Sequence, residues 1–267
     1  MDIVKFEKFK KFKNITHGFS TKDGGVSTGI YKSMNLSFTR GDDKEAVKEN
    51  FRRITKELDM PYERLVFSAQ THTTNLRCVD ERDAGKGIIR DKDYDDIDGL
   101  ITDVPNLPLV TFYADCVPLV FYDPVKNVIA SSHSGWRGTV KRMGLHTVNM
   151  MCFEYGCDAG NIIACIGPSI CKNCYEVSED VATEFTREFS KEDSEKIVFP
   201  KENGKYLIDL QEANHVILKG AGIREENIDD ERICTCCNNE RFFSHRATMG
   251  QRGNLAAFIM LTERKQI

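Results

Sequence analysis

A thiol, Cys116, and an imidazole, His133, each lie just past a strongly apolar run, in Ala114-Asp115-Cys116 and His133-Ser134-Gly135-Trp136-Arg137-Gly138. A second imidazole, His72, lies past a third run, in Gln70-Thr71-His72. Two imidazoles and one thiolate suit zinc or copper. Three protein ligands leave a coordination position open, and chemistry happens there. The three are far apart in sequence, as in catalytic sites built from several elements; structural zinc sites usually show close pairs such as C-x2-C. Two glycines flank the single tryptophan and permit close approach of a ligand. The same residues could instead form a cysteine hydrolase, with Cys116 as nucleophile and His133 or His72 as base. A blue-copper site would gather its cysteine and second histidine on one short loop and add a weak methionine ligand. Neither feature is seen here, and six histidines are too few for several coppers. Zinc therefore ranks above copper.

Another cysteine group could hold a structural zinc. Cys171-x2-Cys174 can pair with members of Cys234-Thr235-Cys236-Cys237. Cys78, Cys152, Cys157 and Cys165 read as core or surface thiols.

The elements that position these residues follow from periodicity. Leu65–Phe67, Leu107–Tyr113 and Val128–Ala130 read as short strands whose ends feed loops, where sheet proteins build sites. The spacing of Ala46, Val47, Phe51, Ile54 and Leu58 predicts a helix over 42–59, capped by Asp42 or Asp43 and ended before Pro61. Leu119–Tyr122 and Val128–Ser131 flank a turn-rich pentapeptide and read as a hairpin. Further helices are expected over Thr139–Tyr155, closed near Gly156, then Glu179–Phe189 and Glu212–Lys219. Strands are expected at Ile162–Ile166, Tyr206–Leu210 and Asn254–Leu261. The lysine-rich first 13 residues read as an edge strand with a solvated face. Loose alternation with a hairpin predicts a mixed-sheet α/β or α+β fold. With no linker or repeat, residues 1–267 are expected to form a single domain.

The net charge of −4 gives no reason to expect nucleic-acid binding. No apolar run approaches a membrane span, and no secretory signal is seen. Ten cysteines without such a signal point to reduced thiols in a cytoplasm.

At these residues the chain resembles the laccase-domain, or polyphenol oxidase-like, proteins, now read as purine nucleoside phosphorylases and including a peptidoglycan editing factor. The resemblance runs through His17-Gly18-Phe19-Ser20-Thr21, Gly24-Gly25-Val26-Ser27 and Met34-Asn35-Leu36-Ser37. It continues through Gln70-Thr71-His72, Asp98-Gly99-Leu100-Ile101-Thr102, Ala114-Asp115-Cys116-Val117-Pro118 and the His133–Gly138 string. It closes with Ile166-Gly167-Pro168-Ser169-Ile170, Tyr175-Glu176-Val177 and Phe242-Phe243-Ser244-His245-Arg246. His245 stands where the family usually has tyrosine, so that tyrosine's contact is not carried over.

The resemblance implies zinc ligation by His72, Cys116 and His133. It implies one α/β domain with a mixed sheet core packed by helices, similar to a deamidating toxin's catalytic domain. It also implies phosphorolysis of adenosine, inosine, guanosine and methylthioadenosine, with adenosine deamination. Deamination needs activated water and a carboxylic acid to shuttle protons, for which Asp115 and Glu176 are candidates. Asp115 could equally cap a turn or orient a ligand histidine. Phosphorolysis needs cations to hold phosphate. Arg137 offers a bidentate fork, with Asn35, Arg40 and Arg246 as weaker candidates. A metal or Cys/His hydrolase acting on peptidoglycan precursors is the alternative, and copper-dependent polyphenol oxidation ranks last. The partners implied are a purine nucleoside and phosphate, with the chain a monomer or small homo-oligomer.

Overall fold

The computed structural model describes residues 1–263 and has a mixed α/β architecture in four layers. The layering follows from strands that are apolar on both faces. In Leu255–Leu261, Leu255, Ala257, Ile259 and Leu261 face one core, while Ala256, Phe258 and Met260 face another. In Val117–Asp123, Val120 and Tyr122 share the first of these cores, and Val117, Leu119 and Phe121 enter a third. Two sheets thus pack face to face, and each turns its outer face to helices.

The five-stranded sheet runs in the order Ile3–Val4, Ile15–Ser20, Leu255–Leu261, Leu109–Tyr113, Val66–Phe67. Its outer face is covered by the helix Lys44–Glu57, which contributes Val47, Phe51 and Ile54. Asp43 caps that helix by accepting the amides of Glu45 and Ala46. The six-stranded sheet runs Ile228–Asp230, Ile163–Ile166, Val117–Asp123, Val128–Ser134, Gly99–Thr102, Leu76–Cys78. Helices Met143–Tyr155 and Leu210–Gly220 share its outer core through Val148, Met151, Ile217 and Leu218. Parallel and antiparallel pairings occur in both sheets, as expected for a mixed fold. A small sheet of Glu176–Val177, Tyr206–Ile208 and Val198–Pro200 completes the fold.

The structure differs from the sequence reading in four places. The strand Val128–Ser134 continues past Ala130, so His133 lies within it. Its serines are tolerated because Ser131 bonds Thr111 at 2.6 Å and Ser132 bonds Thr147 at 2.7 Å. The helix expected over Thr139–Tyr155 is two helices, Trp136–Val140 and Met143–Tyr155, separated at Arg142, whose φ is 60°. A helix at Lys191–Ile197 follows Glu179–Glu188; the serine cap Ser190 marks it, but only Ile197 of its residues is buried, so periodicity gives no signal. The lysine-rich N-terminus contributes only Ile3–Val4 as an edge strand. Phe6 and Phe9 beyond it are buried. Among the described residues no helix is long and apolar enough to cross a membrane.

Candidate metal and substrate site

His72 and Cys116 lie where the chain crosses between the two sheets. Ala114-Asp115-Cys116 joins Leu109–Tyr113 of the five-stranded sheet to Val117–Asp123 of the six-stranded sheet. His72 lies on the crossing from Val66–Phe67 to Leu76–Cys78. His133 pairs with Pro118 across the hairpin, which brings it beside Cys116. One ligand atom from each of His72, Cys116 and His133 lies within 4.8 Å of the others. Tetrahedral zinc bonds of about 2.0–2.3 Å would set such atoms roughly 3.3–3.8 Å apart, so the cluster fits a metal with little movement. The two imidazole rings meet edge to face at 4.8 Å.

Gly135 makes this possible. A Cβ there would stand 2.7 Å from Nδ1 of His72, closer than real contacts come, and a tight 3.1 Å from Sγ of Cys116. The glycine keeps free the space the ligands occupy.

Sequence reasoning missed Asp98. It is fully buried and starts the strand Gly99–Thr102. Its carboxylate accepts Nδ1–H of His133 at 2.8 Å and the amides of Thr71, His72 and Thr73 at 2.8, 3.1 and 3.1 Å. Because a carboxylate can only accept, the proton sits on Nδ1 and Nε2 is left for a metal. Burial pushes the Asp98 carboxyl up, but His133 and the amides outweigh it and hold it below the usual range. Burial pushes His133 down, yet Cys116 and Asp98 raise it to about 9. His72, whose φ is 66°, is lowered by burial and by His133. The string Asp98-Gly99-Leu100 gave a place for Asp98 but not its partners.

The trio opens into a cavity of about 620 Å³, in the range of small-molecule sites. Phe67, Phe112 and Tyr94 give it aromatic walls, and Arg40 and Arg252 line it. Arg252 was also missed. It is 7% exposed, and its Nε has no hydrogen-bond partner. Burial, reinforced by Arg40, lowers its pKa to about 10. His245 lies with Nδ1 3.5 Å from this guanidinium.

The other expected residues divide. Arg137 follows the trio at the start of Trp136–Val140 and stacks its guanidinium on Trp136 at 4.3 Å. It is exposed, and among the described residues no ion pair engages it. Arg246 bonds the carbonyl of Cys174 and stacks on Tyr175. Asp115 does not face the cavity: its carboxylate accepts the Thr235 hydroxyl and the Arg246 amide, both at 2.7 Å. Glu176 is engaged by Lys201 on the small sheet and does not line the cavity. Asn35 is fully buried, its amide donating to Asp42 and accepting the amides of Ser37 and Asn254, so none of it is left for phosphate.

Residues 16–262 match the family model described as multi-copper polyphenol oxidoreductase laccase. The chain is 34% identical over 260 residues to purine nucleoside phosphorylase YlmD of Bacillus subtilis, covering 94% of this chain and 90% of that one. It is 33% identical over 249 residues to adenosine deaminase RL5 of an unknown prokaryotic organism, covering 91% and 94%. The crystal structure of hypothetical protein YfiH of Bacillus licheniformis superposes with a TM-score of 0.91 at 34% identity, covering 95% of each chain. With its fold and its length matched alike, the chain belongs to the multi-copper polyphenol oxidoreductase laccase family.

Proposed function

We propose that the protein is a zinc-dependent purine nucleoside phosphorylase. It would split adenosine, inosine, guanosine or methylthioadenosine with phosphate into free base and ribose 1-phosphate. One observation carries this reading: the metal-ligating trio and the Arg40–Arg252 pair line the same cavity. Two guanidiniums held near each other repel, and one is buried with an unpaired Nε. Nη1 of Arg252 already donates to Gly253 and Asn254, so a phosphate dianion would supply the missing charge and an acceptor for Nε. YlmD, named for this activity, supports the reading.

When bound to His72, Cys116 and His133, the ion supplies Lewis acidity. Asp98 fixes the His133 tautomer and holds the backbone of His72, so two ligands are oriented before substrate arrives. Phe67, Phe112 and Tyr94 offer faces for the purine and exclude water around it. Arg40 and Arg252 hold phosphate for attack on the sugar C1′. The base departs with the electron pair of the glycosidic bond and takes up the proton that the hydrogen phosphate gives up as it becomes ribose 1-phosphate.

Adenosine deamination is the second activity we propose for this cavity, supported by RL5. It ranks second because Asp115 and Glu176 are both engaged elsewhere. Copper ranks below zinc because, among the described residues, no methionine lines the cavity as an axial ligand.

The test measures metal content and adenosine turnover together, on wild type and Cys116→Ala, with and without phosphate. Stoichiometric zinc lost in the variant, with phosphate-dependent release of adenine, is the expected result. Phosphate-independent inosine would make deamination the main activity. Metal-free protein without purine turnover would overturn both, and leave Cys116 as a hydrolase nucleophile acting on cell-wall precursors.

A further inference from the structure

The chain carries a second cluster of metal-binding side chains outside the cavity. Cys171 and Cys174 form one C-x2-C pair, and Cys234 and Cys237 form another. Cys171 and Cys234 are 63 residues apart, yet the Sγ atoms of all four cysteines lie within 4.8 Å of one another. Cys174 and Cys237 are 3.4 Å apart and Cys171 and Cys237 3.9 Å. These separations are near the edges of a tetrahedron of Zn–S bonds of about 2.3 Å, and far above a disulfide of roughly 2.05 Å.

The backbone around the cluster is arranged for thiolates. The amides of Cys171 and Cys237 both point at Sγ of Cys234, at 3.2 and 3.3 Å. Such N–H bonds stabilise a sulfur that carries negative charge. The two segments are laced together: Ser169 donates to the carbonyl of Ile233 and accepts from the amide of Thr235, both at 3.0 Å. Cys236, between the two ligands, is not one of the four mutually close sulfurs; its thiol neighbours that of Cys174, and both pack against the outer core of the six-stranded sheet. Four sulfur tips gathered from two distant segments to within 4.8 Å of one another is an arrangement that core packing alone does not require.

We infer that Cys171, Cys174, Cys234 and Cys237 form a closed four-thiolate site for a structural zinc ion, distinct from the His72–Cys116–His133 trio. All four positions are filled by protein, so this ion has no place for substrate. Binding releases the thiol protons to solvent. The ion joins two segments that border the cavity's cysteine ligand. Thr235, inside the second pair, donates to the Asp115 carboxylate at 2.7 Å, and the Ile170 amide donates to the Asp115 carbonyl at 2.9 Å. Asp115 is the residue before Cys116.

The test uses the full chain, purified reduced and without chelator. Elemental analysis should find two equivalents of zinc. Cys116→Ser should retain one, and the double variant C174S/C237S should lose one while keeping the other. Cobalt loaded into Cys116→Ser should give the intense sulfur-to-metal charge-transfer bands of a four-sulfur tetrahedral site. Because the double variant can fail to fold, a second measurement uses wild-type protein. Alkylation followed by peptide mass analysis should find these four cysteines protected with zinc and labelled after chelation. Zinc that C174S/C237S retains in full, equal labelling with and without zinc, or a disulfide within the cluster would overturn the inference. These readouts need no turnover, so they stand apart from any failure of the proposed activity.

Discussion

Asp98 binds His133 through Nδ1 at 2.8 Å while the same carboxylate accepts the amide of His72 at 3.1 Å. One buried side chain thus orients one histidine by its ring and another by its backbone. Asp98→Asn keeps the shape but can present an amide N–H where an acceptor is needed. Metal affinity should fall about 10- to 100-fold, with the fold retained. Competition against a chromophoric chelator, with circular dichroism as the control, measures this; unchanged affinity would remove Asp98 from the site.

Gly135→Ala places a methyl group where the structure leaves 2.7 Å to His72 and 3.1 Å to Cys116. The ligands must move apart by a sizeable fraction of an ångström. Turnover should fall by about a hundredfold, with metal loss, while the melting temperature changes little. Full occupancy and full activity in this variant would show that the trio does not close around an ion as proposed.

Arg252→Met removes the buried guanidinium but keeps most of the side chain's volume. If Arg252 holds phosphate, kcat/KM for phosphate should fall about ten- to a hundredfold, the cost of one or two charge-assisted hydrogen bonds. Initial rates over a phosphate series give the number. An unaltered phosphate dependence would assign the arginine to structure alone.

His17 sits in the core between Phe6 and Phe9, and its pKa is lowered to about 3 by burial, with Lys5 and Lys10 adding to the effect. The unfolded chain binds this proton near pH 6.5 and the folded chain does not. Its contribution to stability is therefore complete above about pH 6.5 and is lost as the pH falls towards 3, by at most about 1.4 kcal/mol per pH unit. Denaturant melts of wild type and His17→Leu between pH 7 and 4 should show a shallower acid slope for the variant. Parallel slopes would mean that other groups govern acid unfolding.

Much of the site was legible because its chemistry is local to a residue type. Cys116, His72 and His133 stand at the ends of apolar runs, and the glycines beside Trp136 signalled close approach. The helix Lys44–Glu57 was legible from its apolar spacing and its Asp43 cap. Asp98 was not, because its role depends on amides 25 to 27 residues away. Arg252 was hidden for a similar reason: only the folded chain shows it buried with no ion pair among the described residues. Glu176 was a candidate as a carboxylate alone, and sequence gives no sign of its partner. Next to a ring that stacks on Arg246, it pairs instead with Lys201. Asn35 misled because a polar side chain in a sequence motif gives no sign that its donors and acceptors are already taken.

The position of Leu255–Leu261 constrains how the chain can be made. It lies between Ile15–Ser20 and Leu109–Tyr113, so it is synthesised after both of its neighbours. Until it leaves the ribosome, the five-stranded sheet exists only as two separate pairs with bare inner edges. Arg252 and Asn254, which line the cavity, arrive just ahead of it. A nascent chain stalled before Leu255 should therefore be cut readily by protease and bind no nucleoside, even with His72, Cys116 and His133 already translated.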